Sequence, residues 1–251
     1  MTVTNACGQE VVTNTLTVGN PPNIVVTPES LSAEQCPDTV TTQTLSICNV
    51  GTAPLVWSLS EVSGVVGLAT SLPAASDGGP SPSLDIPWLE ESPTGGAQGP
   101  GVCISVTVRF DSTGLSPITY TAGLLVESND PEDPQIGIPV TLTVIAPASG
   151  ADFAWTPVTP TVGELVHFTG TVASGNPPLT YTWDWGDGHT EVLTEPTALH
   201  TYTAAGTYTV FLTVTNACGL ATAARDLWVR PALPPFHIIY LPLVFKGYSS
   251  P

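Results

Sequence analysis

Apolar residues return at every second position through many short runs of this chain. Val102, Ile104, Val106, Val108 and Phe110 alternate with polar residues in VCISVTVRF, and the same rhythm runs through IGIPVTLTV and GTYTVFLTVTN. A period of two puts the apolar members on one face of a β-strand. Thr and Val fill these runs, and both fit a pleated, half-buried surface. No window keeps apolar residues at i, i+3, i+4 and i+7, so long helices are not expected. The 26 prolines and 23 glycines fall between the runs as turns. The pattern predicts an all-β protein of short antiparallel strands, and 251 residues leave room for one to three domains.

Charge narrows the possible partners. Four Lys and Arg stand against 21 Asp and Glu, a formal net charge of −17. Nucleic acid would be repelled, and the basic footprint it requires is absent. The plain reading is that the acidic side chains keep a Thr-rich β-surface soluble and separate; the sharper one is that some carboxylates collect Ca²⁺. No apolar run approaches the ~20 residues of a membrane helix, so no membrane span is expected. Met1 is followed at once by the polar TVTNACG, which is no secretory signal. The expectation is an excerpt or processed product of a longer secreted chain.

An internal repeat sets the domain map. TVTNACG at residues 2–8 recurs identically at 213–219. Each copy runs on into a further strand-like stretch, VVTNTLTV or AARDLWV, and then a Pro-rich exit. The second copy closes the block from Thr180 to Gly219, TYTWDWGDGHTEVLTEPTALHTYTAAGTYTVFLTVTNACG. Its WDWGDG turn, HTY step and GTYTVFLTVTN strand resemble the PKD domain, with the likeness covering Ala151 to Val229. That resemblance implies an Ig-like β-sandwich used as a spacer or adhesive module in extracellular proteins. The division expected is 1–19, the last two strands of a partial PKD-like copy; 20–146; 147–231, the PKD domain; and 232–251, an apolar tail strand.

Residues 20–146 resemble the Ig-like modules of the abnormal-spindle, hydin and BACON type. The likeness rests on the strand ending in N-x-G (Asn49 to Gly51), Trp57 two residues after Leu55, IPWL before a Gly-rich loop, and SNDP after the sixth strand. A Gly/Pro/Ser-rich insert at 61–85 departs from that pattern and reads as a long loop. The fold class expected is therefore tandem Ig-like antiparallel β-sandwiches. Strand parity turns both Cys48 in TLSIC and Cys103 in VCISVTVRF outward. In an Ig-type sandwich their strands are antiparallel neighbours, which sets Cys48 opposite Cys103 as a disulfide. Two free surface thiols stay open as the alternative, since parity does not fix register. Five cysteines cannot all pair within one chain, and Cys7, Cys36 and Cys218 are left unassigned.

Candidate chemistry is sparse. Asp184, Gly186 and Asp187 beside His189 suggest a metal or acid–base site, but Asx-turn chemistry explains the same residue types. His200 belongs to the HTY step, where the PKD likeness implies a structural role. In SNDPEDP, Asp130, Glu132 and Asp133 fall in one turn and are weak calcium candidates, although Ca²⁺ takes six to eight oxygens. Prolines 131 and 134 favour a rigid turn instead. No Ser-His-Asp order with an elbow and no phosphate loop appears. Neither a catalytic residue nor a cofactor other than that calcium is expected, so the chain does not read as an enzyme.

The tail FHIIYLPLVFKGYSSP carries Ile238, Ile239, Leu241, Leu243, Val244 and Phe245 with no place in either sandwich. These six are the candidate assembly residues. The leading expectation is a non-catalytic structural or adhesive module of an extracellular or cell-surface assembly, joined to other copies of itself or to neighbouring β-domains by strand exchange. The alternative is an accessory spacer or carbohydrate- or protein-binding region of a secreted hydrolase, with cell-surface glycans or proteins as partners. A carbohydrate platform calls for exposed coplanar aromatics, whereas Trp57, Trp88, Trp155, Trp183, Trp185 and Trp228 mostly occupy core or turn positions in these patterns.

Overall fold

The alternating runs become strands whose apolar members point inward. The computed structural model describes residues 19–63 and 85–233, and among these there is no helix. The chain divides into two units at the Ala146–Pro147 bond, each a β-sandwich with its own core.

Nine strands build the described part of the first unit: β1 (Ile24–Thr27), β2 (Leu31–Gln35), β3 (Val40–Asn49), β4 (Leu55–Ser63), β5 (Leu89–Ser92), β6 (Gly95–Gln98), β7 (Cys103–Asp111), β8 (Thr119–Ser128) and β9 (Gln135–Val144). One sheet runs β1-β3-β7-β5 and the other β2-β9-β8-β4-β6. All pairs are antiparallel except β2 with β9. Leu45, Ile47, Val106, Val108 and Phe110 from the first sheet share a core with Leu55, Leu124, Val126, Ile138 and Leu142 from the second, all with no exposure. Full burial of each such side chain stabilises by roughly 1.5–3 kcal/mol. Val102 breaks the expected inward series. It lies before β7 in the turn where its N–H donates to Gly99 O, and it is exposed.

At one end of this sandwich, buried side chains supply the hydrogen bonds that the strands cannot. Asn49 is fully buried. Its Oδ1 accepts from the N–H groups of Gly51 and Asn23, and its Nδ2 donates to the carbonyls of Ala53 and Gln98. Gly51 allows this turn, because a Cβ there would stand 2.2 Å from Pro21 O. Asn129 does similar work, accepting from Val56 N–H and donating to Pro54 O. The N-x-G and SNDP motifs thus secure the β3–β4 and β8–β9 turns to neighbouring chain.

The second unit holds β10 (Asp152–Thr156), β11 (Leu165–Thr171), β12 (Thr180–Asp184), β13 (Thr190–Leu193), β14 (Thr197–Thr201), β15 (Gly206–Asn216) and β16 (Gly219–Val229). Its sheets are β10-β11-β14 and β13-β12-β15-β16. Val166, Trp183, Val210, Leu212, Val214, Leu227 and Val229 have no exposure. A stack of rings runs through this core: Phe168 to Trp185 at 4.8 Å, Trp183 parallel to Trp185 at 5.2 Å, and Trp185 parallel to His200 at 4.8 Å. The chain is bound into this unit from Pro147 onward. Ala148 is buried, Ser149 bridges to Ser174, and Ala148 N–H donates to Asn216 Oδ1.

Asp130 ties the first strand of unit one to the β8–β9 turn. Its Oδ2 accepts from Ile24 N–H at 2.8 Å and its Oδ1 from Glu132 N–H at 2.9 Å. Burial works against its charge, but backbone N–H groups of Ile24, Glu132 and Asp133 outweigh that and hold the carboxyl below its usual range. A depressed carboxyl stabilises above the unfolded pKa near ~3.9, and that stabilisation fades as pH falls through the folded value. The Asp130→Asn variant should lose about 1–3 kcal/mol at pH 7. Calorimetry of the first unit's transition should show the gap from wild type closing on acidification below pH ~4. A gap that is constant with pH would reject the ionised clamp.

Candidate functional site

Cys48 and Cys103 are directly opposed partners where β3 ends and β7 begins, and they form a disulfide with Cα atoms 3.9 Å apart. The bond lies on the outer side of the β1-β3-β7-β5 sheet, next to Val25 of β1. Its 55-residue separation spans the whole insert between β4 and β5.

The WGDG turn gathers the groups that looked like chemistry. Asp184 Oδ1 accepts from Gly186 N–H. Gly186 has φ 73°, and a Cβ there would approach Thr209 O to 2.5 Å, so glycine alone fits. Asp187 accepts from His189 N–H at 3.1 Å and contacts the Nδ1 of His189 at 3.2 Å and the Nε2 of His200 at 2.8 Å. Burial opposes its charge, yet the bonds from His200 and His189 hold Asp187 below the usual carboxylate range. His200 lies flat on Trp185 and edge-on to Tyr202, whose hydroxyl donates to Trp185 O. Burial is the main cause that pushes the Tyr202 hydroxyl pKa far up. Every polar atom named here has a partner that shapes the turn. His167 lies on β11 opposite Leu199, one position from the Val166–His200 pair but on the other, exposed face of the sheet.

Among the calcium candidates, both Asp130 oxygens are engaged by backbone N–H groups, while Glu132 and Asp133 are exposed. Among the described residues, no three His, Cys, Asp or Glu side chains gather as a metal-holding group. The assembly candidates Ile238, Ile239, Leu241, Leu243, Val244 and Phe245, and the partial copy at 1–18, lie outside the described residues.

Two carboxylates were overlooked in the sequence. Glu61 continues the inward series Leu55, Trp57, Leu59 on β4, and Glu91 follows inward Leu89 on β5. They bring charge to the end of the core from opposite sheets. Glu61 Oε2 accepts from Ile86 N–H, where the chain returns from the 64–84 segment. Burial first, then Glu61, Glu90 and Asp85, push Glu91 up to about 7. Its Oε1 is buried with no hydrogen-bond partner among the described residues. Inward parity was the available signal.

The tryptophans divide. Trp57, Trp88, Trp183 and Trp185 are buried, but Trp228 is 54% exposed on β16 and Phe211 is 45% exposed on β15. Both rings stand on the outward face of one sheet, so Trp228 is an exception among tryptophans expected mostly at core or turn positions.

Residues 147–229 match the PKD domain family, so the second unit carries a PKD domain. Several solved structures are similar in part. PapD-like domain 7 of human CEP192 is 17% identical, covering 57% of this chain and 98% of its own, with TM-score 0.37. The PKD domain of the human VPS10 domain-containing receptor SorCS2 is 22% identical over 36% of this chain and 80% of that one, at TM-score 0.33. A chain from work on carbohydrate-binding modules of the β-sandwich superfamily is 32% identical over 35% of each chain, at TM-score 0.31. No helix among the described residues is long and apolar enough to cross a membrane.

Two outcomes are expected. Glu91, with its folded pKa raised above 4.5 to about 7, favours folding when protonated, so stability falls as pH rises through that window. The Glu91→Gln variant should melt above wild type at pH 8 and match it near pH 4, and a variant less stable at both pH values would reject this account. The Cys48–Cys103 loop, with its 55-residue separation, should contribute about 4 kcal/mol in the chain-entropy model. Peptide mapping without reductant should recover the pair linked.

Proposed function

We propose that this chain is a non-catalytic structural or adhesive part of an extracellular assembly, in which a strand from one copy completes a sheet of another. The observation that carries the reading is the free edge of the PKD unit. Strand β16 is 11 residues long and lies at the end of its sheet, paired only with β15. Among the described residues its outer backbone N–H and C=O groups have no ladder partner up to Val229, after which Arg230 bridges to Thr161. An added strand would satisfy them, as in β-augmentation. The segment Phe236–Phe245, almost wholly apolar, has the length and character of such a strand. Donation to another copy in head-to-tail fashion gives an open filament.

Deleting residues 236–251 tests this. The intact chain should sediment as oligomers at high concentration, and the truncated chain as monomers with both sandwiches folded. An intact chain that stays monomeric, or a truncated one that assembles equally well, would overturn the reading.

A further inference from the structure

Strand β5 is an outer strand of the β1-β3-β7-β5 sheet, and among the described residues it is joined to β7 alone. Around its start, Ile86, Trp88 and Leu89 are buried and close one end of the core. Three hydrogen bonds seat this stretch: Leu89 N–H to Ile86 O, Asp111 N–H to Trp88 O, and Ile86 N–H to the Glu61 carboxylate. Of the three, the last reaches across to the opposite sheet, because Glu61 belongs to β4. Glu91 turns inward from β5 close enough to feel the Glu61 charge, and its Oε1 is buried with no hydrogen-bond partner among the described residues.

We propose that Glu61 and Glu91 are a proton-controlled latch on this edge: one proton between the two carboxyls keeps β5 and the Ile86–Leu89 turn seated, and its loss loosens them from the end of the sandwich. Two carboxylates drawn partly out of water on facing sheets repel each other unless one takes up a proton. Their other charged neighbours make this worse, since Asp85 in the turn and Glu90 on β5 are also acidic. Arg109 of β7 is engaged by Glu90 and Asp111 on the outward face. In the register Glu91 meets Val108 of β7 and Glu61 meets Leu124 of β8, neither of them charged. Relief costs least at the edge. Letting β5 and its leading turn come away breaks one four-residue pairing, a smaller loss than opening the whole sandwich. Burial and the neighbouring carboxylates push Glu91 up from 4.5 to about 7, so the closed form is favoured in acid and that advantage is lost as pH rises between these values. The latch belongs to the first unit, so it stands whether or not strands are exchanged at β16.

Hydrogen exchange of the full chain from about pH 5 to about pH 8, corrected for the intrinsic pH dependence of amides, tests the latch. The opening constant at the Ile86 and Leu89 amides should rise about tenfold per pH unit, the slope of one released proton, and level off above pH ~7. At the upper pH both amides should exchange about tenfold or more faster than Leu45 and Val106 in the core, because they open without the rest of the unit. Glu91→Gln should abolish the rise. Glu61→Gln, whose amide oxygen can still accept from Ile86 N–H, should end it at a lower pH. No rise in the wild type, a rise that persists in Glu91→Gln or is unshifted in Glu61→Gln, or Ile86 exchanging no faster than Leu45 would overturn the proposal.

Discussion

A sandwich can bury its apolar faces only if the backbone at the strand ends is also satisfied. That constraint governs both units. Unpaired buried N–H and C=O groups each cost about 1–3 kcal/mol, comparable to what a core side chain contributes. In the first unit Asn49 settles four such groups without any exposure, and Asn129 and Asp130 settle more across the neighbouring turns. In the second, Asn216 accepts from Ala148 and Cys218 and donates to Asn176 O, closing the β15–β16 hairpin on the start of the domain. Small polar side chains with two-sided hydrogen-bonding capacity therefore fix where each sheet begins and turns.

The same constraint explains what was legible in the sequence. Alternation gave the strands and their inward faces, because a pleat leaves no other arrangement for Val106, Val108 and Phe110 or for Val210, Leu212 and Val214. Turn motifs were legible because their residues are needed locally, as with Gly186 in a positive-φ turn. TVTNACG was read as a repeat, and in its second copy Asn216 and Gly219 explain the fixed residues: a Cβ on Gly219 would press to 2.8 Å on Pro147. Less visible was anything set by register between distant strands. Glu61 and Glu91 lie 30 residues apart in sequence, and nothing local shows that they meet at one end of the core. The expectation that the tryptophans mostly sit in core or turn positions did not single out Trp228, whose position one step from inward Leu227 puts it outside.

Charge placement gives the faces different characters. The described basic side chains are engaged locally: Arg109 with Glu90 and Asp111, Arg225 with Asp152, and Arg230 with Thr159 O. The surplus of carboxylates is left to set the long-range field, which keeps acidic chains of the same kind apart. Exposed ion pairs of this sort contribute little to stability, so their main effect is to withdraw cations from the surface.

Strand β16 shows how these terms combine. A long, open edge invites pairing unless it is short, bulged, proline-bearing or charged. This one has 11 residues, no proline, and only Arg225 and Asp226 as charges, with Arg225 already paired. Little in the strand itself prevents uncontrolled edge pairing, so restraint has to come from the net charge of −17 between whole molecules. Such repulsion acts over a Debye length of ~8 Å at physiological ionic strength and weakens with salt, whereas backbone pairing does not. On the proposed strand exchange, an edge open at close range and guarded at long range would select a partner strand that is tethered or held near, over one met by free diffusion.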